Sequence, residues 1–279
     1  MSRVNIILDL DETLLIREFS KTDFVKIYQK YFPKNYFEIY NSKSNTKFFL
    51  LLLPGTVELV TWLLQHKDAT LHFYSSATLQ MNTLSIAQIL KVANFDIKEI
   101  IDLMMRDNFL YSRHNCKNLK KDLSLIRDPL DDKIILIDNS PRAPLKKQLD
   151  HTFIHAFYTR DQLEPHADKI SYHNVSLRQV FYITGILQTL LDKGTDDFVN
   201  RLHQLLSDKE MLSEKEYDQF CEKGLTVLRT VNPMLELPEP VPYEMRAFLP
   251  NEEDKYESDE SLDSEDSQDN LFSFYARTL

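Results

Sequence analysis

The stretch Ile6-Ile7-Leu8-Asp9-Leu10-Asp11-Glu12-Thr13-Leu14 runs an apolar segment into two carboxylates spaced by one residue, followed by a hydroxyl. Placed at the end of a strand, such a pair can divide labour on a phosphate ester. One carboxylate attacks phosphorus and forms an acyl phosphate, while the other protonates the leaving oxygen and then activates water. Clustered carboxylates repel each other and an incoming dianion, so this chemistry calls for a hard cation such as Mg²⁺. The competing reading is a helix N-cap built on Asp11 or Thr13, which accounts for one carboxylate but not two.

These residues need a scaffold, and the pattern supplies one. Four short β-like runs, Val4 to Leu8, Thr70 to Tyr74, Lys133 to Ile137 and Thr152 to Phe157, alternate with helical stretches. After Pro54-Gly55, Val57, Val60, Leu63 and Leu64 share a helical face, and Thr78 to Val92 also reads as helix. This order predicts an α/β fold with a parallel sheet, whose ligands gather beyond the carboxyl ends of the strands. Polar residues do follow the runs there: Ser75-Ser76 after Tyr74, and Asp138-Asn139-Ser140-Pro141 after Ile137. Each could instead be an ordinary turn. Past residue 175 the periodicity is helical, with Val180, Ile183, Leu187 and Leu190 on one stripe and Phe198, Leu202 and Leu205 on another. Ser213 and Glu216 have capping-box spacing for a third helix through Tyr217, Phe220 and Leu228. The expected organisation is a catalytic domain over 1–174, a helical appendage over 175–232 and a disordered acidic tail over 233–279.

Composition narrows the class. The chain of 279 residues is 43% hydrophobic and 27% charged, and its longest apolar run, Phe48 to Leu53, is too short to span a bilayer. The expectation is a soluble, cytoplasmic protein without a cleaved leader, because Asp9, Asp11 and Glu12 interrupt the first apolar stretch. Of the net charge of -10, residues 250–279 carry ten Asp and Glu against Lys255 and Arg277. The rest is close to neutral, which leaves no basic surface for nucleic acid. Cys116 and Cys221 are read as free thiols. Among the eight histidines, His151 and His155 are spaced for a helix but fall in a predicted strand, where they share no metal. Trp62, Tyr172 and His173 are assigned to packing.

Asp9-Leu10-Asp11-Glu12-Thr13-Leu14 resembles motif I of the haloacid-dehalogenase (HAD) superfamily phosphatases, and its wording is similar to the small C-terminal-domain, or NLI-interacting-factor-like, phosphatases. The resemblance continues through Leu71-His72-Phe73-Tyr74-Ser75-Ser76, Lys121-Asp122-Leu123-Ser124 and Ile134-Ile135-Leu136-Ile137-Asp138-Asn139-Ser140-Pro141. It implies a HAD-like Rossmannoid sheet with helices on both faces and a protein phosphatase acting on a phosphorylated protein. On that resemblance Asp9 is the nucleophile and Asp11 the general acid and base, with Thr13 supporting the loop. Mg²⁺ is held by Asp9, the Asp11 backbone carbonyl and Asp138, with Asn139 nearby. Ser75, Ser76 and Lys121 bind the phosphoryl group, and Arg113 or Arg106 approaches the substrate side.

The resemblance is loosest over residues 17–48, which hold nine of the thirty Phe and Tyr residues where that family carries a polar stretch and a hairpin. Phe24, Tyr28, Tyr31 and Phe32 suit a helix that could wall the site with aromatics, favouring phosphotyrosine over phosphoserine; core packing is the alternative. No segment suits a large closing cap, so an open site and a macromolecular substrate are expected. The tail, a Glu-rich block before Leu271-Phe272-Ser273-Phe274-Tyr275, resembles export signals of bacterial type IV secretion effectors; a solubilising tail is the alternative. The same residues also suit two alternative functions, a small-metabolite phosphatase and an inactive scaffold that binds a partner.

Overall fold

The computed structural model describes residues 3–41, 45–118, 120–127, 129–140, 143–154, 169–207 and 214–238. Its centre is a parallel five-stranded sheet of β1 (Val4–Leu8), β5 (Ala69–Tyr74), β6 (Leu110–Tyr111), β7 (Ile134–Asp138) and β8 (Thr152–Ile154), in the order β6-β5-β1-β7-β8. Ile6 lies opposite Leu71 on one side and Ile135 on the other. Because β1 and β7 are apolar at nearly every position, both sheet faces must be covered, as in parallel sheets generally. Val4, Ile6, Leu8, Ile135 and Ile137 enter the large core. Ile7, Tyr74, Ile134 and Leu136 form a smaller one with Tyr111 and Leu123.

The chain moves outward from β1 to β5 and β6, then returns to place β7 on the opposite side of β1. This reversal creates a crevice at the carboxyl ends of β1 and β7, where α/β sheets bind ligands. The crossovers carry α2 (Thr56–Gln65), α3 (Leu79–Val92) and α4 (Ile97–Met104). Thr78 caps α3 by accepting from the Met81 amide, and a reciprocal Asp96–Glu99 capping box opens α4. The fifth strand β6 escapes a periodicity reading because it is two residues long.

The insert over 17–48 corrects the sequence expectation. It does contain a hairpin: β3 (Tyr36–Asn41) and β4 (Thr46–Leu52) pair antiparallel, and β2 (Leu15–Glu18) joins β4 to make a three-stranded sheet. Its helix α1 (Asp23–Tyr31) forms as predicted, but Phe24 and Tyr28 are buried in the core, and the Tyr28 hydroxyl donates to the Leu52 carbonyl. Helix and hairpin bury each other, so these two rings are unavailable as a wall over the site. Trp62 packs as expected, 9% exposed, with its ring against His66.

Helices α5 (Lys169–Leu191), α6 (Phe198–Ser207) and α7 (Glu214–Leu228) follow. Val180, Phe181, Ile183, Leu187, Phe198, Cys221 and Leu228 share one apolar cluster with β1 and α2. Cys116 and Cys221 are free thiols. Among the described residues no helix is long and apolar enough to cross a membrane. His155, Pro141, Ser213, the end of the strand predicted to reach Phe157, and the tail beyond 238 lie outside the described residues, as do the side chains of Tyr172 and His173.

Candidate active site

Three strand ends converge. β1 delivers Asp9, whose amide donates to the Ile137 carbonyl of β7 at 3.0 Å; β7 ends on Asp138; and β5 leads into Ser75. Parallel register makes the three neighbours in space although 66 and 63 residues separate them along the chain. Lys121 joins them from the segment before β7. Its backbone is pinned by Lys121 N to Ala143 O (2.7 Å) and Leu145 N to Lys121 O (3.2 Å). The neighbouring Asp122, 1% exposed, anchors that segment by accepting from Lys117 Nζ, the Ser124 amide and hydroxyl, and Gln148 Nε2. Of the lysines at 117, 120 and 121, Lys121 is the one buried among carboxylates.

The Lys121 ammonium donates to Asp9 Oδ1 and, at 2.6 Å, to Asp138 Oδ2. All three side chains are nearly sealed from solvent. Burial is costly for each charge, and one ammonium serves two carboxylates. Burial outweighs the Lys121 ammonium at Asp9, and with Asp138 and Asp11 adding to it pushes the carboxyl up to about 7. Burial alone would pull Lys121 down, but Asp138 and Asp9 hold it above the ordinary lysine range. At Asp9 burial is the main cause of the shift, whereas at Lys121 the two carboxylates together overcome it.

Asp11 faces differently, with its side chain 40% exposed. Ser75 Oγ donates to its Oδ2 at 3.0 Å and itself accepts from the Ala77 amide at 3.1 Å. Arg17 of β2 lies against Oδ1 at 3.4 Å. Thr13, fully buried, donates to Asp9 Oδ2 at 3.3 Å. The loop between them carries Glu12 at φ 60, a left-handed conformation that costs a non-glycine residue roughly 1 kcal/mol and persists where neighbours enforce it. Asn139 Nδ2 donates to Glu12 Oε2 at 2.9 Å, and Gln179 Nε2 of α5 donates to the carbonyls of Glu12 and Thr13.

The structure therefore brings Asp9, Asp11, Thr13, Ser75, Lys121, Asp138 and Asn139 together. Ser76 follows Ser75 as an exposed residue, and the Arg113 amide donates to Ala77 O at 2.9 Å, which ties Arg113 to the same loop. Arg106 is instead exposed in the turn between α4 and β6. Sequence reasoning missed Arg17, its α3 partners Asn82 and Ser85, and Gln179. No local pattern marks them, since their significance lies in contacts spanning 65 residues or more.

Among the described residues no three His, Cys, Asp or Glu side chains converge as a metal cage. Mg²⁺ does not need one, because it keeps several waters and binds through one or two carboxylates. Asp9 and Asp138, meeting on one nitrogen with net negative charge, are a hard-oxygen donor pair that fits it.

A parallel sheet with a D-x-D-x-T loop at its switch point, a hydroxyl after the neighbouring strand, and a buried lysine between two aspartates makes this an α/β fold of the HAD type with an acidic site at the strand ends. More narrowly, the chain belongs to the NLI interacting factor-like phosphatases, whose family model matches residues 4–179. Among solved structures it is similar to Fcp1, an essential RNA polymerase II CTD phosphatase, at 13% identity over 82% of this chain and 63% of that one, with a TM-score of 0.40. It is also similar to a fission yeast Fcp1 variant bound to beryllium fluoride, at 13% identity over 87% of this chain and 59% of that one, TM-score 0.39. The chain thus spans about three-fifths of the length of these two structures. No curated protein matches it.

Proposed function

We propose that the protein is a Mg²⁺-dependent phosphoprotein phosphatase working through an aspartyl-phosphate on Asp9. The observation that carries this reading is the convergence of Asp9 and Asp138 on the buried Lys121 ammonium, with Asp11 and Ser75 beside them at the solvent edge. Asp9, Asp138, the Asp11 carbonyl and Asn139 would hold Mg²⁺, which would supply charge neutralisation at the site. Asp9 attacks phosphorus in line, and the Asp11 carboxyl gives its proton to the leaving oxygen as the ester bond breaks. Asp11 then takes a proton from the water that hydrolyses the acyl phosphate. Ser75, the Ser76 amide, Arg113 and Lys121 hold the phosphoryl oxygens.

Phosphotyrosine is the favoured substrate class. Support comes from Phe19, 61% exposed just past β2 and two residues beyond Arg17, which touches Asp11. A ring in that position offers a phenyl phosphate an aromatic face and gives a serine side chain nothing comparable. A panel of phosphotyrosine and phosphoserine peptides assayed with Mg²⁺ and with EDTA tests both parts. Turnover should fall about 100-fold or more in EDTA, in line with the loss of the main electrostatic stabilisation. On the phosphotyrosine side, kcat/KM should lead by about tenfold, the scale of one aromatic contact. Turnover unaffected by EDTA removes the metal, a lead for phosphoserine removes the tyrosine preference, and a phosphorylated sugar outcompeting every peptide removes the protein substrate.

The reading extends to the tail on sequence composition alone: its acidic block and hydrophobic end suit export by a bacterial type IV secretion system into a host cell. Deleting residues 250–279 should then abolish delivery and leave hydrolysis intact, whereas unimpaired delivery refutes an export role.

A further inference from the structure

We propose that Arg17 is the positioning residue of proton transfer: it fixes the rotamer of Asp11, so that Oδ2 and not Oδ1 exchanges protons with substrate. This rests on the reading of Asp11 as general acid and base. An aspartate that is 40% exposed at the mouth of a site has a short side chain and water on one side, so its two oxygens would interchange freely without a second constraint. The structure supplies one constraint on each oxygen. Oδ2 accepts from Ser75, the residue that follows β5 on the phosphoryl side, and Oδ1 lies against Arg17 Nε on the protein side.

The Arg17 side chain, 4% exposed, has its Nε and Nη2 donors turned toward the protein interior. It is held from behind by one face of α3: the single Nε–H donates to Ser85 Oγ at 3.2 Å, so that Asp11 is met as an ion pair, and Nη2 donates to Asn82 Oδ1 at 2.8 Å. Those two are fixed in turn by carbonyls one turn earlier in the chain, Ser85 Oγ donating to Met81 O and Asn82 Nδ2 to Ala77 O. Asn82 and Ser85 are both fully buried. A planar guanidinium can satisfy a carboxylate, a hydroxyl and an amide oxygen at once, which a lysine ammonium on a flexible stem does not reproduce. The α3 scaffold thus reaches the reacting proton through one side chain.

In the first half-reaction the Asp9–phosphorus bond forms, the ester bond breaks, and the leaving oxygen takes the Asp11 proton. In the second, water adds to phosphorus, the Asp9–phosphorus bond breaks and the water proton returns to Asp11. Misaiming Oδ2 costs most in the first step when the leaving oxygen is basic and needs that proton. It costs little when the leaving group departs unaided.

The test is the dependence of kcat/KM on leaving-group acidity over a series of aryl phosphates, from dinitrophenyl phosphate to phenyl phosphate, for the wild type, Arg17→Met, Arg17→Lys and Ser85→Ala. Arg17→Met should lower kcat/KM for phenyl phosphate by about 100-fold, the scale of general-acid catalysis, and for dinitrophenyl phosphate by no more than about threefold. Arg17→Lys and Ser85→Ala should steepen the same dependence to a lesser degree, and inhibition by inorganic phosphate should stay unchanged. Should Arg17→Met fail to fold, the two milder variants carry the test alone. A parallel loss across the series, or no loss, overturns the role of Arg17 while wild-type turnover keeps the phosphatase reading. A wild type that hydrolyses no aryl phosphate overturns both.

Discussion

Asp9→Asn should lower kcat by about 10⁴-fold or more and, in metal-free buffer, make the protein more stable. The activity loss follows from chemistry, since an amide oxygen in the same place is not a nucleophile toward phosphorus, and losses on this scale accompany removal of a covalent nucleophile. Nothing about the swap disturbs shape: Thr13 can still donate to a carbonyl oxygen at position 9, and Lys121 keeps Asp138. The stability gain follows from charge. Burial, with Asp138 and Asp11 adding to it, pushes the Asp9 carboxyl up to about 7. An acid whose folded value is raised contributes its full stability below the unfolded value and loses it as pH rises through the folded one. The wild type should therefore lose stability between about pH 4 and 7, whereas Asp9→Asn should not. Above that window the variant should lead by an amount on the order of a few kcal/mol. Thermal melts in EDTA across this pH range, run beside single-turnover assays and beryllofluoride trapping, check both halves. Turnover near the wild-type rate would end the nucleophile assignment, and a variant less stable than the wild type at pH 8 would end the electrostatic account.

That trade explains why the centre of the site was legible in the sequence while its surroundings were not. Asp9, Ser75 and Asp138 each follow an apolar run, and a parallel sheet puts the ends of such runs side by side whatever lies between them. Lys121 was harder, because it sits beside Lys120 and close to Lys117, and only the Asp-Leu-Ser that follows singled it out. Arg17 follows Leu14-Leu15-Ile16 with no neighbouring residue that marks it. Its role depends on the hairpin sheet placing β2 against α3, a register no short window encodes. The same limit governs the insert. Phe24 and Tyr28 were placed correctly on a helix, but whether a helical aromatic faces a ligand or a neighbouring sheet is decided by what packs over it, here β4. Gln179 shows the limit at its longest reach, crossing 167 residues to steady the Glu12 carbonyl.

Gly224→Ala should destabilise the protein by about 3 kcal/mol, although helix propensity alone predicts a gain of about 1 kcal/mol from replacing an interior glycine. The contact decides the sign. A Cβ on Gly224 of α7 would overlap the Phe181 carbonyl of α5, and one on Gly185 of α5 would overlap the Phe220 carbonyl of α7, so the two helices cross with backbone against backbone at a reciprocal pair of glycines. Neither obstacle is a flexible side chain that can turn aside, so the helices must separate. Separation would loosen Phe181, Tyr182, Cys221 and Leu228, all 2% exposed or less. It would also withdraw packing from Gly55, which Val180, Phe181 and Leu228 approach at the start of α2. For a chain of this size the cost corresponds to a fall in Tm of roughly 6–12 °C. Gly185→Ala should behave alike, and the double variant should cost less than the sum, because the first substitution has already opened the crossing that the second needs. Activity should report the same movement at a distance. Gln179 stands on α5 six residues before Gly185, and a shift of that helix loosens its grip on the loop that carries Glu12 and Thr13. Gly224→Ala should therefore lose kcat below its melting range, while Gly194→Ala, which strains a left-handed backbone (φ 92) but meets no atom within 4 Å, should lose a little stability and keep kcat. A Gly224→Ala protein that melts at or above the wild-type temperature would show that the helices do not cross this closely.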